Sequence, residues 1–527
     1  MREQYGDSAT PDYTQYHPDQ LVRYPEQHFA YQLIAAKAKA LIDGTDMTPL
    51  LMIMDGAGGT GKSTVLHCAV RLILELAAAA DYKYKPVRVC APTGSAASGI
   101  FGCTLHSFIR FNPSRFFEQL QGASETAWQE YIKGLLFLFI DERSLMAQQI
   151  LVYLLSRLRQ GNPDSTHPTG GVSIILIGDD FQLPPISGGR LSDQPYSTFG
   201  KERRYNQARA LARQVYMEHF QTCVQLTTNV RAAGVSPEQV KFRRFQMECL
   251  RPCKPTPGWY DYMSRFELQP SEAARWKLGF GIFASNERRE AHNAALLART
   301  SRDLRVPIAT INADHPYGGR AAITATPRKA QGLLKTIHIC VGSRVSLNWN
   351  GWVSRGAVNG LHGIVVEIVY ALGKAPPQLP LVVFVACPKY RGPSYDDECD
   401  FEPSDLHAQI LGFAGLRAGQ PGVIAVQPIG RDFKAGKGNK VKCMRVQLPL
   451  ELAWGITIHK SQSKTIGPGQ DPEEALLDIG GTELGLGLTY VGFSRFAGPE
   501  CVRISPFPAK PRFNNIVPPS PFDPASP

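Results

Sequence analysis

The stretch that decides the fold is "LLMIMDGAGGTGKSTVLHCAVRLILELAAAA", Leu50 to Ala80. It opens on an unbroken apolar run, passes through a Gly-rich turn, and ends in a long amphipathic helical pattern. The turn holds Gly56, four intervening residues, then Gly61, Lys62 and Ser63. That spacing between a strand and a helix is a phosphate-binding loop. Its glycines, Gly56, Gly58, Gly59 and Gly61, let backbone N–H groups curl around phosphate oxygens. Thr60, Ser63 and Thr64 add hydroxyls, and Lys62 adds a point charge for the outer phosphates. The Ser63 hydroxyl can ligate Mg²⁺, and the helix N-terminus favours an anion.

Working outward, the same texture repeats. "VRVCAP", "LLFLFIDE" and "VSIILIGD" read as buried strands, and "AQQILVYLLSRLRQ" reads as a helix. Strand–helix alternation with apolar strands predicts an α/β fold with a parallel sheet covered on both faces. "LLFLFIDE" ends on Asp141 and Glu142. The first can hold Mg²⁺; the second can orient and deprotonate an attacking water. Together with the phosphate loop, the two acids indicate a nucleoside triphosphatase that uses Mg²⁺; they do not say which nucleotide it takes.

A second section opens near Leu226 with "LTTNVR". From about Val345 short β-rich runs separated by Gly and Pro suggest a small β-barrel insert over about 345–447. Within it, "KAGKGNKVK" has the look of a solvated hairpin tip that could touch DNA. The α/β texture then returns. Expected boundaries are a loose lead-in at 1–20 and a first domain at 21–225 with a small wedge insertion near 105–130. A second domain follows at 226–515, and a Pro-rich disordered tail at 516–527.

The chain has 527 residues and a net charge of +11. That balance favours a polyanionic partner, nucleic acid before membrane. The eleven cysteines form no Cys-x-x-Cys pair and read as reduced thiols of a cytosolic or nuclear protein. The N-terminus is neither a signal peptide nor a good transit peptide, and "LLFLFI" is too short to span a membrane.

Nine stretches fall in one order: "YPEQ", "GAGGTGKST", "APTGSAA", "GCTLHSF", "DERSLM", "GDDFQLPP", "LTTNVR", "AWGITIHKSQSKT" and "LTYVGFSR". In that order the chain resembles the Pif-one family of 5′→3′ DNA helicases, of the RecD-like branch of superfamily one. The resemblance covers about 27–495. It implies two RecA-like P-loop domains with parallel sheets and an SH3-like β-barrel insert in the second. It implies ATP-driven 5′→3′ movement on single-stranded DNA and unwinding of tailed duplex or structured DNA, in repair, recombination, replication or telomere maintenance. The direction comes from the resemblance alone. A nuclear location follows, with cytoplasmic and mitochondrial ones as alternatives; a monomer is expected.

Residue by residue, Gln27 looks like the adenine-reading glutamine and Gln182 like the γ-phosphate sensor. Arg231 and Arg495 look like the two arginines that reach the γ-phosphate; fixed guanidiniums suit the charge that spreads over a transferring phosphoryl group. Thr93, Thr104, His106, Phe108, Thr457, His459, Lys460, Ser461 and Gln462 resemble the DNA track, with Phe108 placed to stack on a base. The chain departs from the family pattern at Ser463, where glycine is usual, and at Arg143, Leu145, Gly492 and Phe493. None of these removes a group that does chemistry. Asp180 reads as a solvated acid. The rival readings are an inactive DNA-binding remnant of a mobile-element replication–helicase protein, and an ATPase that moves on RNA or remodels protein.

Overall fold

The computed structural model describes residues 12–111, 117–185, 189–193, 203–231, 236–249, 258–276, 279–352, 355–393, 422–462, 464–482 and 487–514. Ser463 and the expected tail at 516–527 fall outside them. The chain divides into two compact units. One runs through Gln269 and resumes at Ser461; the other spans Pro270–Lys460. The divisions therefore fall at 269/270 and 460/461, not at the expected 225/226. The helix Pro237–Glu248 stays with the first unit because it packs on Leu488–Phe493. There the Gln246 amide donates to the Phe493 carbonyl at 2.9 Å, and the Phe245 and Phe493 rings meet edge-on at 4.8 Å.

The first unit is built on six strands: β1 (Leu51–Gly56), β2 (Val87–Ala91), β3 (Cys103–Thr104), β4 (Phe137–Ile140), β5 (Ser173–Gly178) and β6 (Thr222–Leu226). They form one sheet in the order β3-β2-β4-β5-β1-β6, every pair parallel. Successive side chains along a strand face opposite ways. Met52, Met54, Phe137, Phe139, Ile175 and Ile177 enter one core, with α1 (Pro25–Ile42) and α2 (Lys62–Ala79). Ile53, Leu138, Ile140, Ile174 and Leu176 enter the other, with Gln148–Gly161. Burial on both faces is why these strands read as continuous apolar runs.

Two local features differ from expectation. The chain from residue 12 is not loose: Tyr13 is buried, its ring 5.8 Å from His67 and 5.6 Å from Phe101. An aromatic ring that finds other rings to pack on leaves water at a gain. In the region read as a wedge, the buried Arg157 donates to the carbonyls of Ile109 and Glu118, both at 3.0 Å. That guanidinium ties both ends of the segment to the helix beneath it.

The second unit is β-rich. It holds β7 (Gly281–Phe283), β8 (Ala309–Asn312), β9 (Thr336–Ile339), β10 (Arg344–Leu347), β11 (His362–Val369) and β12 (Val382–Ala386). After these come β13 (Val423–Val426), β14 (Ile429–Ala435), β15 (Val441–Gln447), β16 (Leu450–Leu452) and β17 (Gly455–Thr457). β17 runs parallel to β7, and β8 pairs with β9 antiparallel. The insert is an antiparallel sheet in the order β13-β12-β11-β10-β16, with β14 and β15 as a separate hairpin. "KAGKGNKVK" forms the tip of that hairpin, where Lys434 and Lys442 stand opposite each other. The first unit resumes with β18 (Ala475–Asp478) and β19 (Val502–Ile504), a parallel pair. Among the described residues no helix is long and apolar enough to cross a membrane.

Candidate functional site

A parallel sheet sends all its strands out at one edge, so the loops after them meet there. The sheet order β4-β5-β1-β6 thus gathers Asp141–Glu142, Asp179–Gln182, the Gly-rich loop and Thr227–Arg231, although they are scattered in sequence from Gly56 to Arg231.

The Gly-rich loop has no room for side chains. Gly59 and Gly61 have φ of +92° and +82°, which other residues rarely adopt. A Cβ on Gly61 would stand 2.4 Å from Gln27 Nε2, and one on Gly59 2.5 Å from Arg231 Cβ. Gln27 is buried, and its amide donates to the Thr60 carbonyl at 2.9 Å. In this structure it braces the loop. Lys62 Nζ donates to the carbonyls of Gly56 and Ala57 at 2.6 and 3.0 Å.

Residues after β6 close over the loop. The N–H groups of Val230 and Arg231 donate to the Gly59 carbonyl at 2.7 and 3.0 Å. Arg231 Nη1 donates to the Ser494 carbonyl at 3.0 Å, and Arg495 Nη2 to Ser494 Oγ at 2.7 Å. Both guanidiniums flank Gly58: a Cβ there would lie 3.3 Å from Arg495 Nη2 and 3.5 Å from Arg231 Nη1. Burial, then the neighbouring Arg495, pulls the Arg231 pKa down to about 10; burial also lowers that of Arg495. Two cations this close, taken from water, are held ready for an anion.

Asp179 organises the loop after β5. It is fully buried and accepts from the Phe181 N–H at 3.0 Å, Gln182 Nε2 at 3.1 Å and the Tyr490 hydroxyl at 3.1 Å. Gln182 Oε1 is buried with no partner among the described residues. A buried acceptor left unpaired costs roughly 1–3 kcal/mol, which is the mark of a group meant for a ligand or water.

Glu142 sits in the left-handed region at φ +52°, and its N–H donates to Asp141 Oδ1 at 2.9 Å. Burial, then the charge of Glu142, pushes the Asp141 carboxyl well above its ordinary range. A dication would reverse that penalty. Asp141 and the exposed Ser63 are the residues that would hold Mg²⁺. Among the described residues no group of three or more His, Cys, Asp or Glu could hold a metal.

A cavity of about 1010 Å³ opens against this edge, lined among others by Gly58, Phe181, Asn229, Arg243, Trp259 and Tyr490. Of these, sequence reasoning missed Phe181, Asn229, Arg243, Trp259 and Tyr490. Motif membership could have flagged Phe181, Asn229 and Tyr490; nothing in the sequence marked Arg243 or Trp259.

The residues assigned to a DNA track are placed unevenly. Thr93 Oγ1 caps Gly94–Gly99 and Thr104 Oγ1 caps Leu105–Phe108, accepting from Ala96 and Ser107 N–H groups at 3.3 and 3.2 Å. They follow β2 and β3, at the same sheet edge as the phosphate loop. His106 is half-buried and stacks on Phe111 at 5.9 Å. Phe108 is a correction: it is 1% exposed, edge-on to Trp128 at 5.5 Å, so its ring serves the core and no base can stack on it. Thr457, His459 and Lys460 lie in the second unit, the last two exposed, and Lys460 pairs with Glu451. Ser461 and Gln462 lie in the first unit; Ser461 is fully buried.

A family model described as an AAA domain matches residues 39–188. The chain is 24% identical over 482 residues to the ATP-dependent DNA helicase PIF1 of Emericella nidulans, covering 86% of this chain and 58% of that protein. It is 25% identical over 500 residues to that of Xenopus laevis, covering 91% and 62%. It thus spans about three-fifths of the length of these curated relatives. Over 141 residues, a quarter of the chain, it is 33% identical to the ATP-dependent DNA helicase RRM3 of Saccharomyces cerevisiae. Among solved structures, Pif1 helicase from Candida albicans superposes with a TM-score of 0.59 at 20% identity, covering 93% of this chain and 95% of that one. Bacteroides Pif1 in complex with ADP-AlF3 and ssDNA gives 0.60 at 21%, covering 90% and 93%. The fold is accordingly α/β of the RecA-like P-loop type. Nine motifs in order, a matching fold and similarity along most of its length make the chain similar to the Pif1 helicases.

Proposed function

We propose that the protein is an ATP-dependent DNA helicase that moves 5′→3′ on single-stranded DNA and unwinds tailed duplex. The observation that carries this reading is the pair Arg231 and Arg495, both standing against Gly58 of the phosphate loop. Two desolvated guanidiniums at that point suit the charge of a transferring γ-phosphoryl group. The relatives' names, ATP-dependent DNA helicase, and the Bacteroides complex with ADP-AlF3 and ssDNA support the substrates.

In this reading the loop N–H groups and Lys62 hold the phosphates, and Gln27 steadies the loop beside the adenine. Glu142 takes the proton of the attacking water, and Gln182 senses the outer phosphate. Mg²⁺, held by Ser63 and Asp141, would neutralise phosphate charge. Thr93, Thr104, His106, Thr457, His459, Lys460, Ser461 and Gln462 would line the strand's path; phosphate and sugar contacts of this kind carry no sequence information. The two RecA-like motors, a monomeric state and a nuclear site of action belong to the same proposal.

The test is ATP hydrolysis with and without single-stranded DNA, beside a Lys62→Ala control. Hydrolysis that is absent, or indifferent to DNA, overturns the reading. Unwinding of duplexes with a 5′ or a 3′ tail then fixes polarity.

A further inference from the structure

Arg143 follows Glu142 directly and is 3% exposed. Its stem lies over the end of β5: a Cβ on Gly178 would stand 2.8 Å from Arg143 Cγ. The side chain therefore starts after β4, crosses β5 and reaches β1. There Nη2 meets Asp55 Oδ1 at 2.9 Å and Asp180 Oδ2 at 2.6 Å. Nη1 is buried without a partner among the described residues.

The two acids belong to different segments of the site. Asp55 immediately precedes the first glycine of the phosphate loop, and Asp180 stands two residues before Gln182. They also differ in setting. The Asp55 side chain is 14% exposed and that of Asp180 51%. One ion pair is an anchor inside the protein; the other is open to water. An exposed ion pair alone contributes little. Here the guanidinium is buried, so releasing one acid leaves a charge short of a partner. An apolar residue at 143 could fill the volume, but it could not tie the two loops together.

We propose that Arg143 is a positioning residue. Through Asp180 it latches the Gln182 loop to the strand that ends in the phosphate loop, and so sets where Gln182 stands during hydrolysis. The kinetic part rests on the ATPase reading above; the latch itself does not. Because Arg143 acts through Gln182 and not on the nucleotide, its loss falls on kcat and spares the KM for ATP.

The experiment uses the full chain with three variants: Asp180→Asn, Arg143→Lys, and the triple Asp55→Asn with Arg143→Met and Asp180→Asn. Hydrogen exchange of amides 180–183 is read without nucleotide, and steady-state ATP hydrolysis with single-stranded DNA. Asp180→Asn and Arg143→Lys are expected to speed exchange about tenfold and lower kcat about tenfold, with KM within twofold. The triple variant carries no unpaired charge. It should recover the thermal stability of the parent but neither kcat nor protection. Unchanged exchange in Asp180→Asn overturns the latch. Recovery of kcat in the triple variant also overturns it, since charge balance alone would then be the role of Arg143. A parent protein without ATPase activity would sink the functional reading, while exchange would still decide the latch.

Discussion

The Tyr490 hydroxyl donates to Asp179 Oδ2 at 3.1 Å, and Tyr490 lines the same cavity as Gly58. One hydroxyl therefore joins the loop of Gln182 to the helix that leads to Arg495. Removing it should loosen both at once. Tyr490→Phe is expected to cost about 1–2 kcal/mol of stability, the scale of a buried partner lost to an ionised group. It should lower kcat for ATP about tenfold. Denaturant melts and steady-state kinetics read both.

Gln182 Oε1 has no partner among the described residues, as suits the proposed sensor of the outer phosphate. Gln182→Ala should keep nucleotide binding, because the phosphate cradle is built from other segments, yet abolish stimulation of hydrolysis by DNA. Titration with a fluorescent ATP analogue, beside hydrolysis rates with and without DNA, checks it. Intact stimulation would remove Gln182 from the coupling.

At Gly58 the structure predicts a purely steric effect. A methyl there would press on Arg495 Nη2 at 3.3 Å and on Arg231 Nη1 at 3.5 Å. Gly58→Ala should leave the melting temperature nearly unchanged and cut kcat by roughly 10²-fold, a fraction of what such arginines can contribute. A fall in stability instead would show that the loop, and not the arginines, gives way.

Phe108 is expected to behave as a core residue. Phe108→Ala should destabilise the first unit by about 3–5 kcal/mol. Phe108→Leu should be far milder and bind single-stranded DNA like the parent. Weakened DNA binding by a well-folded Phe108→Leu variant would return the ring to the DNA track.

Burial lowers the pKa of His106. The unfolded chain then takes up this proton at a higher pH than the folded one. The stability linked to neutral His106 is present above the ordinary histidine pKa of about 6.5 and is lost as pH falls through the folded value. His106→Gln should flatten the loss of stability between pH 7 and pH 5, read from denaturant midpoints across that range.

The parts legible in sequence were those whose chemistry needs residue types at short, fixed spacing. The run from Gly56 to Ser63 and the pair Asp141–Glu142 are of this kind, and the apolar strands fixed a parallel sheet. What was not legible depends on distant partners. Asp180 looked solvated because its cation, Arg143, lies 37 residues earlier in the chain. Phe108 looked like a stacking ring because "GCTLHSF" says nothing of Trp128, which buries it. The bond from Gln27 to the Thr60 carbonyl spans 33 positions and carries no local signature.

The close approach of Arg143 to Gly178 limits how this site can change. A methyl at 178 would meet Arg143 Cγ at 2.8 Å, the Arg143 backbone nitrogen at 3.0 Å and its Cβ at 3.4 Å. A shorter side chain at 143 would remove only the first of these contacts. The backbone turn after Glu142 therefore keeps position 178 a glycine whatever stands at 143. Directed evolution of this protein would have to move that backbone before it could explore position 178.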